Sequence, residues 1–391
     1  MKSKLTMTQC IHSDTYKNDQ GSPQPPLYDT SLFAFESTRA MREVIEGRTP
    51  GAFYSRYGMN PTIIALEDKL AQLDQAEASL AFSSGMAAIS AMFMRFARQG
   101  ILCLGDVYGG TQQLLTQQLP ALGIKTFSLQ KTDLNEVEIA LKTHKPGLVF
   151  IETPSNPTLL LQNISKLAKL VHANGALLAV DNTFATPINQ CPIKLGADFT
   201  VQSATKYLGG HSDLTAGVLS GRRLQLDAIN EWRKNLGQTI ATEVAHKLSR
   251  SLLTLALRVE RHNLNAQLVA DYLDTHPKVR KTCYPGLASH PQHTVVSQQM
   301  SGFGGMVSFY IDGDAAMAER FIDLLKVFAI APSLGGVESL ATQPIYTSHY
   351  GLSEEILRQA SVDGSLIRLS VGLEDVKDLI DDLDQALRLC H

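Results

Sequence analysis

Short apolar runs alternate with amphipathic stretches of helical spacing from about residue 60 to about residue 202. The runs at 79–82, 101–104, 125–127, 148–152, 176–181 and 199–202 read as strands. Between them, 62–73 and 164–174 carry apolar residues at helical spacing. A further helix opens at Ser84-Gly85-Met86 and runs to about 98. Strands and helices in this alternation predict a largely parallel sheet with helices on both faces. Beyond about residue 244 the rhythm changes. A long helical pattern covers 244–263, followed by strands at 306–311 and 366–370 and helices at 315–325 and 376–389. Residues 1–58 show neither period and are rich in Pro, Gly, Asp and Thr. The pattern therefore predicts an arm over 1–58 that lies on a neighbouring subunit, with a disordered tail as the alternative. It predicts a large domain over 59–243 and a smaller α/β domain over 244–391.

Composition narrows this picture. The chain has 391 residues, enough for two or more domains, and a net charge of -3. That charge offers no strong field to nucleic acid or to an anionic membrane. The five cysteines are scattered and form no C-x-x-C, so neither a zinc ribbon nor a disulfide framework is supported. His290 and His293 form a lone H-x-x-H that reads as a loop, and no metal is expected. Residues 1–10 are polar, unlike a signal peptide, and no apolar run is long enough to cross a bilayer. A cytoplasmic setting is expected. Dinucleotide-type, Walker-type and H-E-x-x-H motifs are absent from the sequence.

Candidate chemistry gathers where ligands gather in open α/β sheets, beyond the carboxyl ends of the strands. The apolar run ending at 202 leads into Ser203-Ala204-Thr205-Lys206-Tyr207-Leu208-Gly209-Gly210-His211. A lysine withdrawn from water can act as a neutral amine, and hydroxyls beside it can bind an anion. Together these suit pyridoxal phosphate (PLP), an aldehyde at one end and a phosphate at the other; a surface lysine after a strand is the alternative. Ser84-Gly85-Met86, at a strand–turn–helix junction, is either an anion site or a well-capped turn. Asp181 ends the run 176–181 and could pair with a pyridine nitrogen or cap a helix. Tyr108, before Gly109-Gly110, could stack on a flat ring or pack in the core. Arg368, in an apolar strand, could clamp a carboxylate or make an internal salt bridge. In the arm, Tyr54 and Arg56 could supply a hydroxyl and a guanidinium to an anion, or could form a packed aromatic turn.

These segments together resemble the Cys/Met-metabolism family of PLP enzymes. That family includes cystathionine γ-synthase, cystathionine γ-lyase and β-lyase, methionine γ-lyase and the homoserine sulfhydrylases. The resemblance rests on Tyr54-Ser55-Arg56 with Asn60-Pro61-Thr62, on Ser84-Gly85-Met86, and on the segments 106–111, 152–157, 180–183 and 203–211. It continues through Tyr284-Pro285-Gly286-Leu287 and Arg368-Leu369-Ser370-Val371-Gly372. One departure is Met59, an extra residue before Asn60-Pro61-Thr62, for which a local bulge is expected.

The resemblance implies the type I, aspartate-aminotransferase-like fold, and a homotetramer of two catalytic dimers that share their active sites. It implies that 59–243 binds PLP and that the substrate is a small sulfur-containing amino acid. It implies that Lys206 holds the cofactor's aldehyde carbon and later shuttles protons, and that Tyr108 stacks on the ring and assists catalysis. Asp181 would pair with the ring nitrogen, and Ser84, Gly85, Met86, Asn156, Thr183, Ser203 and Thr205 would complete the cofactor set. Tyr54 and Arg56 would reach the phosphate from the neighbouring subunit. Arg368 would bind the substrate carboxylate, with Ser333, Asn156 and Tyr54 close to the substrate. Elimination from a thioether, as by a carbon–sulfur lyase, is the activity expected. Replacement on an acylated homoserine, or transamination, are the alternatives.

Overall fold

The computed structural model describes residues 6–12, 21–130, 133–351 and 354–390. Seven strands form the larger sheet: β1 (Ala78–Phe82), β2 (Ile101–Leu104), β3 (Thr126–Leu129), β4 (Leu148–Glu152), β5 (Leu177–Asp181), β6 (Phe199–Ser203) and β7 (Gly217–Gly221). Their order is β1-β7-β6-β5-β4-β2-β3. Strands β3, β2, β4, β5 and β6 are mutually parallel, while β7 runs antiparallel to both β1 and β6. Side chains alternate across each strand. Leu148 and Phe150 of β4 pack with the helix Gly85–Arg95 on one face. Val149 and Ile151 pack on the other face, among side chains of the helices Leu134–His144 and Ile164–Ala173. Both faces are covered, so the strands read as unbroken apolar runs rather than alternating ones.

A second sheet of five strands contains β8 (Val279–Cys283), β9 (Met306–Ile311), β10 (Ala329–Ile330), β11 (Leu340–Thr342) and β12 (Leu366–Ser370), in the order β10-β11-β12-β9-β8. Its core joins Val307, Phe309, Ile367 and Leu369 to the helices Leu255–Asp274 and Val376–Leu389.

Three features differ from the periodicity. The strand β7 is bounded by glycines at 217 and 221, which are poor strand formers. Gly217 is needed there, because a Cβ would lie 2.0 Å from the Ser84 carbonyl oxygen. The predicted helix over 244–263 is two helices, Thr242–Leu252 and Leu255–Asp274. Arg258 stabilises the break by donating to Ser251 O at 3.0 Å, and it also donates to Tyr207 O at 2.6 Å. A carbonyl freed at a helix end thus keeps a partner. Finally, the arm leans on its own chain. Cys10, in the helix Thr6–Ile11, is buried among Ile63, Leu66 and Leu255. Asn60 caps the helix Pro61–Asp74 by accepting from Thr62 N–H, and donates to Tyr28 O and Ser55 Oγ. The extra residue Met59 is taken up in a turn where its carbonyl accepts from Phe53 N–H at 2.9 Å. Among the described residues, no helix is long and apolar enough to cross a membrane.

Candidate active site

One end of the site is a cradle of backbone and hydroxyls. Ser84 is the N-cap of the helix Gly85–Arg95, and its Oγ accepts from Ala87 N–H at 3.1 Å. Gly85 opens the helix where a Cβ would meet Ser203 Cβ at 3.0 Å, so the turn lies against the end of β6. Thr205 is held nearby, its Oγ1 accepting from Ala216 N–H at 3.1 Å. Thr183 Oγ1 accepts from Ser203 N–H at 2.8 Å. Ser203, Thr205 and Ser84 are therefore collected at a helix N-terminus, where unpaired N–H groups favour an anion.

Beside the cradle the carboxyl ends of β4 and β5 bring Glu152 and Asp181 into register. Asp181 accepts from both the N–H and the Oγ1 of Thr183, at 3.0 and 2.6 Å. Burial nevertheless pushes its carboxyl up to about 6. Glu152 is also pushed up, first by burial and then by the Asp181 charge. Two buried carboxyls this close cannot both stay ionised without a cation near them. Tyr108 starts the next wall. Its N–H donates to Glu152 Oε2 at 2.7 Å, while its ring is half exposed. The ring lies close to Gly110, where a Cβ would come within 2.7 Å of a Tyr108 ring carbon and 3.4 Å of the Met86 sulfur.

The two cations come from distant parts of the chain. Lys206 Nζ donates to Ser333 Oγ at 2.6 Å. Burial, helped by the nearby Arg368 charge, brings the Lys206 ammonium down to about 8. Arg368, buried in the middle of β12, donates to Asn156 Oδ1 at 3.0 Å and to Ser333 O at 3.1 Å. Ser333 thus touches both cations, through its hydroxyl and through its carbonyl. It does so at a φ of 93°, in the left-handed region that non-glycine residues seldom adopt. Among the described residues no carboxylate is in direct contact with the Arg368 guanidinium, which leaves its charge for another partner.

Tyr54 and Arg56 are not gathered with these groups. The Arg56 guanidinium donates to Lys234 O at 2.5 Å and stacks over the Tyr57 ring, and its carbonyl accepts from Thr239 Oγ1. Glu152 belongs to the site; the sequence marks it only as the first residue of the strand-end segment 152–157 and gives it no role of its own. Its signal is the one that marked Asp181, a carboxylate closing an apolar strand. His349 was also missed. It is buried, and burial with the Arg368 charge lowers its imidazole to about 4. Nothing in its surrounding Thr-Ser-His-Tyr sequence signals a site.

The profile of the family described as Cys/Met metabolism PLP-dependent enzyme matches residues 7–388. The chain belongs to that family. Its members use PLP, so PLP is the cofactor of this chain. Chloroplastic cystathionine gamma-synthase 1 of Nicotiana tabacum is 40% identical over 364 residues, 93% of this chain and 67% of that protein. Cystathionine gamma-lyase of Mus musculus is 44% identical over 350 residues, 88% of this chain and 87% of that protein. Other relatives are named L-methionine gamma-lyase and cystathionine beta-lyase. The crystal structure of cystathionine gamma-lyase from Lactobacillus plantarum complexed with L-serine superposes with a TM-score of 0.91 at 35% identity, covering 99% of each chain. The fold is therefore that of the PLP-dependent cystathionine enzymes.

The residues present fit the cofactor. Gly85 and Gly217 leave out side chains that would fill the cradle, hydroxyls ring a helix N-terminus, and a lysine drawn down by burial and a buried carboxyl at the end of β5 belong to the same set of strand-end groups.

Proposed function

We propose that this protein is a carbon–sulfur lyase of relaxed specificity. It would eliminate the γ-thiol from cystathionine, methionine or a related thioether to give a 2-oxo acid, ammonia and a thiol. The observation that carries an amino-acid lyase reading is the double contact of Ser333 with Lys206 and Arg368. It puts a carboxylate-binding guanidinium and a proton-transferring amine on either side of one residue.

PLP, when bound, supplies the electron sink that makes the protons at the substrate's α- and β-carbons acidic. The rest falls to the chain. Arg368 would bind the α-carboxylate with its planar fork, with Asn156 fixing the fork's orientation. Lys206 Nζ would take the Cα proton and then move a proton at Cβ, and departure of the thiol at Cγ follows. An amine with a pKa near 8 can both accept and return a proton at neutral pH. Asp181 would stay ionised against the protonated ring nitrogen, and Ser203, Thr205 and the first N–H groups of Gly85–Arg95 would hold the phosphate. Tyr108 would cover the ring, and Tyr54 and Arg56 would come from a second subunit of a homotetramer.

Two side chains bear on the distal end of the substrate, and they favour a thioether without a distal ammonium over cystathionine. Family members that handle cystathionine often carry acidic residues just before the tyrosine of the arm and just before the Ser-Leu-Gly-Gly loop. Here those places hold Phe53, packed between Phe35 and Tyr57, and the exposed Pro332. An apolar pair gives a distal ammonium no partner, and stripping its water without one is costly. Gly110 stands where methionine-specific lyases carry cysteine, and a Cβ there would crowd the Tyr108 ring. That argues for broad rather than methionine-only use.

The second reading, γ-replacement on an acylated homoserine, is supported by the similarity to the tobacco synthase. Product analysis separates the two. The lyase reading expects 2-oxobutanoate and free thiol from thioethers. Cystathionine forming much faster than 2-oxobutanoate from an acylated homoserine plus cysteine, with little thiol released from any thioether, overturns it.

A further inference from the structure

Glu152 has no place in the chemistry described so far, yet it is among the most constrained groups in the site. It ends β4, is 5% exposed, and stands in register with Asp181 on β5. Its Oε2 accepts the Tyr108 N–H at 2.7 Å, and the Asn156 N–H approaches the same carboxyl. Tyr108 begins the turn that leads into the helix Gly109–Gln113, and Asn156 sits in the turn that follows β4. Asn156 in turn receives Arg368. One carboxyl thus touches the start of both walls of the substrate space.

We propose that Glu152 is a positioning residue for the family's reaction. Its buried carboxyl fastens the Tyr108 turn and the Asn156 turn at a single point beside Asp181, and so sets the ring-facing tyrosine and the carboxylate-binding arginine together. This rests on the roles given above to Tyr108 and Arg368.

The chemistry of the position supports an acceptor that reaches, rather than a charge. The groups facing Glu152 are Asp181 and Asp106, both acidic, with Arg368 farther off. Burial and both neighbours raise Glu152. Charged or neutral, its carboxyl presents an oxygen to the Tyr108 N–H. A second carboxylate charge at the same depth would oppose an ionised Asp181. A shorter side chain at 152 would leave the buried N–H of Tyr108 unmet, and backbone donors do not tolerate that.

The test compares Glu152→Gln with Glu152→Asp in the full-length, PLP-loaded enzyme. Glutamine keeps the reach and removes the ionisable group; aspartate keeps the ionisable group and loses the reach. Three quantities are read: PLP content, the visible circular dichroism of bound PLP, and the concentration of L-alanine that half-saturates the change in PLP absorbance. L-Alanine has no γ-substituent, so its binding does not depend on whether the enzyme eliminates or replaces.

The inference expects Glu152→Gln to match the wild type in all three. It expects Glu152→Asp to keep its PLP, to lose visible dichroism, and to need about 5- to 150-fold more L-alanine, the equivalent of one unmet buried donor. An aspartate variant identical to wild type overturns the positioning role. A glutamine variant as damaged as the aspartate variant shows that charge rather than reach is needed, and also overturns it. Arg368→Ala is the control. If it leaves L-alanine binding unchanged, the carboxylate assignment itself falls, and the inference falls with it.

Discussion

Lys206 is drawn out of water by its surroundings, and that has a measurable consequence. An amine must be neutral to attack an aldehyde. With its pKa brought to about 8, the neutral fraction of Lys206 falls about tenfold for each pH unit below that value. Covalent capture of PLP by the cofactor-free protein should therefore accelerate from pH 6 to about 8 and then level off. Stopped-flow absorbance at several pH values measures this. A plateau reached only near the lysine's ordinary 10.5 would mean the site does not perturb it. Lys206→Ala should show no covalent capture and nearly no turnover, with the fold retained. The residues of the site differ in how legible they were. Lys206, Asp181 and Arg368 stand out as polar groups in or after apolar strands. Ser333 stood out only as part of a glycine-rich loop. That one serine bridges Lys206 to Arg368 depends on a left-handed backbone and on contacts across 127 and 35 residues, which no local pattern encodes.

Asp74 ends the helix Pro61–Asp74 and ties it to two strands. Its carboxyl accepts from Ser220 Oγ on β7 at 2.5 Å and from Gln202 Nε2 on β6 at 2.8 Å. Burial pushes it up to about 7 from 3.8, against the pull of both bonds. The folded protein thus holds this proton more firmly than the unfolded chain. The stability it contributes is full below about 3.8 and is lost as pH rises through about 7. Asp74→Asn keeps donors and acceptors but cannot ionise. Its thermal midpoint should exceed the wild type's at pH 8, by the equivalent of roughly 1–4 kcal/mol, and the gap should narrow at pH 5 and close only below about pH 4. Equal midpoints at both pH values would mean that Asp74 titrates like an exposed carboxylate. Elements whose period is set by burial on both faces, such as β2 and β4, coincide with their apolar runs at 101–104 and 148–152. The elements the pattern did not show are those where tertiary needs override propensity. Examples are β7 with its required glycine, the two-residue β10, and the helix break held by Arg258; β8, β11 and the helix Arg223–Asn235 were not read from the pattern either.

In the whole molecule, the arm is where one chain's structure is least complete on its own. Exposed Leu27, Tyr28, Leu32 and Met41 sit near Tyr54 and Arg56 in sequence, and Arg56 contacts Lys234 and Tyr57 rather than Ser84, Ser203 or Lys206. If these two residues serve a neighbour's site, mixing an Arg56→Ala chain with a Lys206→Ala chain should regenerate activity. Random pairing gives hybrids with one intact site, so about a quarter of wild-type activity is expected. Hybrid dimers that form but stay inactive would keep the arm's role within its own subunit. The family and its fold were legible because the motifs span nearly the whole chain. The arm's contacts with its own chain were not, because they join residues far apart in sequence, as where Cys10 packs on Leu255.

The placement of β7 bears on how the protein is made. Strand β1 and strand β6 lie on either side of it, although β1 leaves the ribosome more than a hundred residues before β6 is finished. The Ser84 turn therefore emerges early and waits, with its neighbouring strand still unsynthesised, until residues 217–221 have cleared the exit tunnel. Only then does the sheet close around the cradle. Closure of the cradle during synthesis is thus confined to the second half of translation, and a chain stalled before residue 217 would expose β1 without its partner strand, a ready target for chaperones or for aggregation.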